Sequence, residues 1–148
     1  MKNAFLTIII FSAFIMFTTC VNMIYDVQYI RVGSGQGPRN PAYTVISSMN
    51  ELNQYTRNFN RGSHWLTEYE NAISKYSDSY FRDNFLLIVL LEENSGSNRH
   101  KVERVDKNGD IIIERLIPEI GTSDMATWSI IIELNNNLKL DKYNIILK

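Results

Sequence analysis

The chain has 148 residues, with 15 basic and 16 acidic side chains and a formal net charge of −1. This near balance, with both signs mixed along the chain and no basic stripe, argues against a nucleic-acid partner. Cys20 is the single cysteine, so the residues after it contain no disulfide, no thiolate nucleophile and no cysteine ligand for zinc.

The first twenty residues have the layout of an export signal. Lys2 precedes an apolar run from Ala4 to Phe17, which is typical of a secretory signal and short for a membrane span. The run is followed by Thr18-Thr19-Cys20, and in this layout it resembles a bacterial lipoprotein signal, whose cysteine becomes the acylated N-terminus. We predict a signal over residues 1–20 and lipid attachment at Cys20, which holds an exported chain at the cell membrane.

Two other fates of this segment stay open. Cleavage near Thr19 releases a secreted protein, and an uncleaved apolar stretch, extended by residues 21–25, forms an N-terminal transmembrane anchor. All three fates place residues 21–148 on the outer side of the membrane. That stretch is long enough for one domain with its own hydrophobic core.

The first half of this domain predicts two strands followed by two helices. Residues 24–32 and 43–46 are rich in β-forming side chains, and a loop containing Gly and Pro separates them. Ser48 and Glu51 form a capping box at the start of a helix that ends near residues 60–62. A second helix is predicted over residues 66–76, and a turn over residues 78–82 brings Tyr80 and Phe81 inward.

The second half predicts five strands. The seven apolar residues from Phe85 to Leu91 are typical of a strand that is covered on both faces. Asn108-Gly109 predicts a type I′ hairpin between strands 100–106 and 110–116, and strands at 128–134 and 143–147 complete the chain. Because strands do not alternate with helices, we predict an α+β domain. Its antiparallel sheet is a meander, sandwich-like, with the two helices of the N-terminal half packed on it.

The segment over residues 80–148 carries the features of one known family in order. In chain order these are the aromatic pair Tyr80-Phe81, the apolar strand Phe85 to Leu91, the small-residue turn Ser95-Gly96-Ser97, the hairpin His100 to Asp110 and the proline-containing segment Pro118 to Met125. With a strand that returns through Trp128, this segment resembles the C-terminal domain of PrcB, a subunit of a bacterial surface protease complex, and of related exported Firmicutes proteins. The family usually shows Thr-Gly-Gly-Tyr at the first turn, where this chain has Ser97-Asn98-Arg99-His100. The resemblance implies a β-rich non-catalytic module that assists or regulates partner proteins.

Two loops are expected at one end of the sheet, because alternate connections of a meander lie on the same side. These are the loops over residues 92–99 and 118–127, and most of the chemistry-bearing residues of the domain fall in or beside them. We predict a binding surface there for a protein partner, made of Ser95, Ser97, Arg99, His100, Thr122, Ser123, Asp124 and Trp128.

The function predicted from these features is a small non-catalytic module for protein binding, assembly or regulation. One alternative is a hydrolase in which His100 and Asp124 activate Ser95 or Ser97, although no Gly-x-Ser-x-Gly elbow is present. Another alternative is a structural envelope lipoprotein without a specific ligand. With two histidines, His64 and His100, and no paired ligand motif, the sequence predicts neither a metal centre nor a cofactor.

Overall fold

The computed structural model describes residues 24–34, 37–58 and 63–148. The predicted export signal over residues 1–20, with Cys20, lies outside the described residues. The predicted end of the first helix, at residues 60–62, also lies outside them.

The described ranges contain the predicted strands and helices with small shifts of their ends. Two short 3₁₀ turns, Tyr80–Arg82 and Asn136–Leu138, flank the strands of the second half. In chain order the other elements are β1 (Ile24–Gly33), β2 (Ala42–Ile46), α1 (Met49–Asn58), α2 (Ser63–Ile73), β3 (Asn84–Glu93), β4 (Arg99–Val105), β5 (Asp110–Leu116), β6 (Ala126–Asn135) and β7 (Asn144–Leu147). The α+β class with antiparallel sheets and two helices is confirmed, and α2 begins three residues before its predicted start.

The strands form two sheets and do not follow one another as the predicted meander. The first sheet has the order β1-β6-β3-β2 and is antiparallel throughout. The second has the order β4-β5-β7. The reason lies in the burial of the strands: β3 and β6 are apolar on both faces and occupy the two central positions, whereas β4 buries alternate residues.

One strand pair departs from the expected antiparallel pattern, because β5 and β7 are parallel. After β6 the chain crosses to the second sheet at the end where Asp110 begins β5. Asp110 and Asn144 are partners in the register, so β7 enters beside the start of β5 and must run in the same direction.

Two hydrophobic clusters hold these layers together. The larger one lies between the two sheets and combines side chains such as Phe85, Val89 and Ile130 of the first sheet with Val102 and Ile113 of the second. The smaller one lies on the other face of the first sheet, where α1 and α2 pack through Leu52 and Tyr69 onto Ile88 and Ile131. Because β3 and β6 contribute to both clusters, their positions fix the rest of the fold.

Two local features predicted from the sequence, a helix start and a hairpin, are present in the structure with different details. The amide of Glu51 donates to Ser48 Oγ at 3.1 Å, so Ser48 caps the helix as predicted. Glu51 Oε2 accepts from the amide of Ser47 at 2.7 Å, one residue before the amide that a capping box uses. The hairpin at Asn108-Gly109 exists, but Gly109 alone has a positive φ, 86°, among the described residues. The predicted type I′ turn is therefore wrong, and the turn is a three-residue loop with Gly109 at its left-handed position.

Candidate functional site

The two loops predicted to share one end of the sheet are in direct contact. Glu93, at the end of β3, pairs with Ala126, at the start of β6, so both loops leave the first sheet at the same end of its strands. The Thr122 amide donates to Ser95 Oγ at 3.0 Å and to Ser97 Oγ at 3.2 Å, and the two serine oxygens lie 2.8 Å apart. Three of the predicted site residues therefore form one hydrogen-bonded surface.

Asp124 fixes the second loop to the end of β1. Its Oδ2 lies 2.5 Å from Arg31 Nη2, and its backbone oxygen accepts a hydrogen bond from the amide of Gly96 at 2.8 Å. The neighbouring Thr122 hydroxyl and the Arg31 guanidinium lower the pKa of Asp124 to about 2. A side chain at Gly96 has no room, because its Cβ would lie 2.4 Å from Asp124 Oδ2. Ser123, between these contacts, is exposed.

Arg99 and Trp128 form a stacked pair beside this surface. The guanidinium carbon of Arg99 lies 5.2 Å from the centre of the Trp128 ring, and its Nη1 donates to the carbonyl oxygens of Gly96 and Asn98 at 2.9 Å each. Trp128 itself is only 6% exposed and belongs to the core between the sheets. Of these two predicted site residues, Arg99 is therefore the one that faces solvent, while Trp128 supports it from below.

Beneath the loops lies a buried polar cluster around Glu93, whose side chain is 1% exposed. His100 Nε2 lies 2.9 Å from its Oε1, and Asn98 Nδ2 donates to its Oε2 at 2.8 Å. Arg115 binds the same carboxylate through two nitrogens, Nε donating to Oε1 at 2.9 Å and Nη2 to Oε2. Glu93 belongs to the first sheet and the pair His100 and Arg115 to the second, so the cluster joins the sheets at the loop end.

The charge states in this cluster follow from burial and hydrogen bonding. Burial alone would raise the pKa of Glu93, but the hydrogen bonds from Arg115, His100 and Asn98 outweigh it, and the pKa lies below its ordinary value. Burial lowers the pKa of His100 more than the contact with Glu93 raises it. His100 is therefore neutral at pH 7, with its proton on Nε2 toward Glu93.

The hydrolytic triad considered from the sequence is not assembled. His100 Nε2 is engaged by Glu93, and its Nδ1 is buried without a hydrogen-bond partner among the described residues. Asp124 is engaged by Arg31 instead. Neither ring nitrogen of His100 therefore contacts Ser95, Ser97 or Asp124, and the ring packs edge-on against Trp128 with centroids 5.5 Å apart.

The residues predicted for the site from the sequence did not include Glu93, Arg31 or Arg115. The pattern in the sequence that indicates the buried cluster is the alternation of side chains between the two faces of a strand. Glu93 shares a face of β3 with the core residues Phe85, Leu87, Val89 and Leu91, and Arg115 shares a face of β5 with Ile111 and Ile113. Charged residues on core-facing positions require partners, and this requirement predicts that they meet.

The described part of the chain offers no group of three or more His, Cys, Asp or Glu side chains placed to hold a metal ion. Over the same ranges, no helix is both long and apolar enough to cross a membrane.

Comparisons with protein-family models, with curated proteins and with solved structures find no match to this chain. The resemblance of residues 80–148 to the PrcB C-terminal domain therefore stays a proposal.

Proposed function

We propose that this chain is an exported, membrane-tethered, non-catalytic module that binds a protein partner through its two contacting loops. The attachment point in this proposal is Cys20, as a lipid-bearing N-terminus or within an anchor. The partner is another protein of the cell surface, and neither nucleic acid nor a cofactor takes part.

The observation that carries the proposal is the position and rigidity of the loop end. Ile24, the first described residue of β1, pairs with Leu134, whereas Gly33 pairs with Thr127 at the loop end. A ten-residue strand spans about 30 Å, so the loop surface lies about that far from Ile24. Cys20 precedes Ile24 by four residues, and a tether there directs the loops away from the membrane.

Two further arguments support a binding role. Ser95, Ser97, Thr122 and Asp124 are tied to one another and to β1 by the hydrogen bonds described above, so a partner meets an ordered surface and little loop entropy is lost on binding. The sequence resemblance to the PrcB C-terminal domain, and the sandwich-like layering proposed with it, indicate the same class of exported non-catalytic module.

The tether is tested by Cys20→Ser in the full chain, followed by separation of membranes from the medium. We expect the substituted protein to leave the lipid-modified fraction and to lose the mass of the acyl chains. Continued membrane attachment after Cys20→Ser indicates that an uncleaved anchor, and not a lipid, holds the chain. Complete release of the unsubstituted chain contradicts tethering of either kind.

The binding role is tested by placing a photoreactive amino acid at Ser123, which is exposed at the loop end. Asp141, exposed at the opposite end of the sheet, is the matched control position. We expect one discrete cross-linked protein from position 123 that is weakened by Arg99→Ala and absent from position 141. No adduct, or the same adducts from both positions, contradicts the proposal and favours a structural role in the envelope.

A further inference from the structure

The exposed apolar side chains of this protein are concentrated beside the loop surface. Outside residues 24–25 and 63–66, five large hydrophobic side chains of the described ranges are exposed, and all except Tyr29 lie between residues 116 and 125. The most exposed are Ile120 at 88% and Ile117 at 66%. We refer to Leu116, Ile117, Ile120 and Met125 as the apolar rim. Isolated exposed hydrophobic residues are ordinary, but a cluster of them marks an interaction surface.

The apolar rim is held by the folded domain. The Met125 carbonyl accepts a hydrogen bond from Arg31 Nη2 at 3.3 Å, and the amide of Thr122 is bonded to Ser95 and Ser97. Leu116 is the last residue of β5 and pairs with Arg99 of β4. The backbone is therefore held at Leu116, Thr122 and Met125, and Ile117 and Ile120 lie between the first two of these points in the sequence.

Arg99 offers a charged donor beside the apolar rim. Its Nη1 is used by the carbonyls of Gly96 and Asn98, and the guanidinium is stacked on Trp128. In the described part of the chain its Nε and Nη2 make no hydrogen bond, and it forms no ion pair. These two nitrogens form the edge with which arginine binds a carboxylate through two parallel hydrogen bonds.

The complementary group lies in the same stretch of the chain as the apolar rim. Glu119 stands between Ile117 and Ile120 in the sequence, is exposed, and forms no ion pair within the described residues. A surface that carries both an unpaired arginine and an unpaired carboxylate next to apolar side chains is complementary to a second copy of itself. A two-fold axis then pairs Arg99 with Glu119 of the other copy twice.

We infer that two copies of this chain associate through the apolar rim, with Arg99 of each copy bound to Glu119 of the other. The lipid of the tethering membrane is a poorer occupant, because the rim lies at the end of β1 opposite Ile24. The rim is small, and interfaces that bury less than about 1,200 Å² are weak. The dimer is therefore transient in solution, and attachment to a membrane under the proposed function raises its population by concentrating the copies.

The test uses the full chain in isolated membranes with Ile120→Cys as the cross-linking position and Asp141→Cys as the matched control. The chain without an added cysteine gives the background from Cys20. A short bis-maleimide is expected to give a dimer band with Ile120→Cys and only background with Asp141→Cys. Arg99→Glu or Glu119→Arg lowers the dimer yield at least five-fold, and the double charge reversal restores at least half of it.

Each other outcome has a defined meaning. Equal dimer bands at both cysteine positions, or failure of the double reversal to restore the band, overturn the inference. Adducts of a different mass at position 120 overturn it in favour of another protein on the rim. Thermal melting checks that each variant is folded, and the double reversal is scored only if it folds. If Arg99→Glu unfolds the chain, Glu119→Arg alone decides, because it changes an exposed side chain; a dimer yield that it leaves unchanged overturns the inference. A Ser123 adduct that survives loss of the dimer in Glu119→Arg, which keeps Arg99, leaves the proposed function intact.

Discussion

Replacing Glu93 by glutamine removes the charge at the centre of the buried cluster while keeping the size of the side chain. The carboxylate accepts four hydrogen bonds, from Asn98 Nδ2, His100 Nε2 and two nitrogens of Arg115. An amide has one oxygen and one NH₂ group, so one of the two positions becomes a donor that faces other donors.

The magnitude follows from the orientation of the new amide. With NH₂ toward Asn98 and Arg115 Nη2, the bond from Arg115 Nη2 is lost, and the Asn98 amide turns its oxygen toward the new donor. With NH₂ toward His100, the neutral ring accepts after moving its proton to Nδ1, and the bond from Arg115 Nε is lost. Either orientation therefore loses one hydrogen bond from Arg115. A hydrogen bond to a charged group contributes about 1.5–3 kcal/mol, and the remaining bonds from Arg115 are weakened as well. We expect Glu93→Gln to lower the free energy of unfolding by about 2–4 kcal/mol, a large share of the ~5–15 kcal/mol of a typical domain.

The assay is urea denaturation at pH 7, followed by far-ultraviolet circular dichroism. Glu114→Gln is the matched control, because Glu114 precedes Arg115 on β5 and lies 4.0 Å from Lys101 in an exposed pair. We expect the control to change the free energy of unfolding by less than about 1 kcal/mol. In a double-mutant cycle, Arg115→Gln and Glu93→Gln together cost less than the sum of the two single changes. A Glu93→Gln cost no larger than that of the control refutes the reasoning that the cluster joins the sheets.

Three other expectations follow from single residues. The unfolded chain protonates His100 near pH 6.5 while burial lowers the pKa of the folded ring, so stability falls as pH drops below about 6.5. Thermal melting against pH measures this slope, and His100→Gln is expected to reduce it; an unchanged slope contradicts the assignment. Gly96→Ala places a methyl group 2.4 Å from Asp124 Oδ2 and displaces the carboxylate, so the pKa of Asp124 rises from about 2 toward 3.8 in an NMR titration, and an unmoved pKa contradicts the crowding. Gly109→Ala forces an alanine to a φ of 86° with its Cβ 2.7 Å from the Lys142 oxygen, which costs at least about 1–2 kcal/mol, and an unchanged melting temperature contradicts it.

Most of the secondary structure was accessible from the sequence because its signals are local. The capping box at Ser48 and Glu51 is predicted from four consecutive residues. The apolar run of β3 predicts a buried strand whichever strands lie beside it. The turn type at Asn108-Gly109 was missed because Asn108 keeps a negative φ. The dipeptide predicts a hairpin, but a three-residue loop with the glycine at its left-handed position satisfies it equally well.

Strand pairing was predicted less well, because it depends on the burial of every strand at once. The hairpin of β4 and β5 joins neighbours in the chain and was found. The insertion of β6 between β1 and β3 joins distant segments and was not. The predicted meeting of the loops at Ser95 and Thr122 is nevertheless confirmed. It requires only that β3 and β6 are antiparallel, because the end of β3 and the start of β6 then lie at the same end of the sheet.

Within the candidate site, residue types alone favoured the exposed loop residues and overlooked the buried ones. His100 was predicted at the binding surface, but it alternates with Val102 on β4 and points toward the core. The same alternation places Arg115 inward. Parity on each strand predicts that these side chains are buried, but it does not say that Glu93 of the other sheet meets them. That contact requires the packing of the two sheets.

The central place of β6 has a consequence for how the chain reaches its folded state. Ile24 pairs with Leu134, so the partners are separated by 134 − 24 = 110 positions in the sequence, and such distant pairings form slowly. As the chain is made from its N-terminus, β1 has no partner strand and β3 keeps one open apolar edge until residues 126–135 emerge. Open edges of this kind are sites of mispairing and aggregation. For most of its synthesis the sheet is therefore unfinished, and one late segment converts two exposed edges into the interior of the protein.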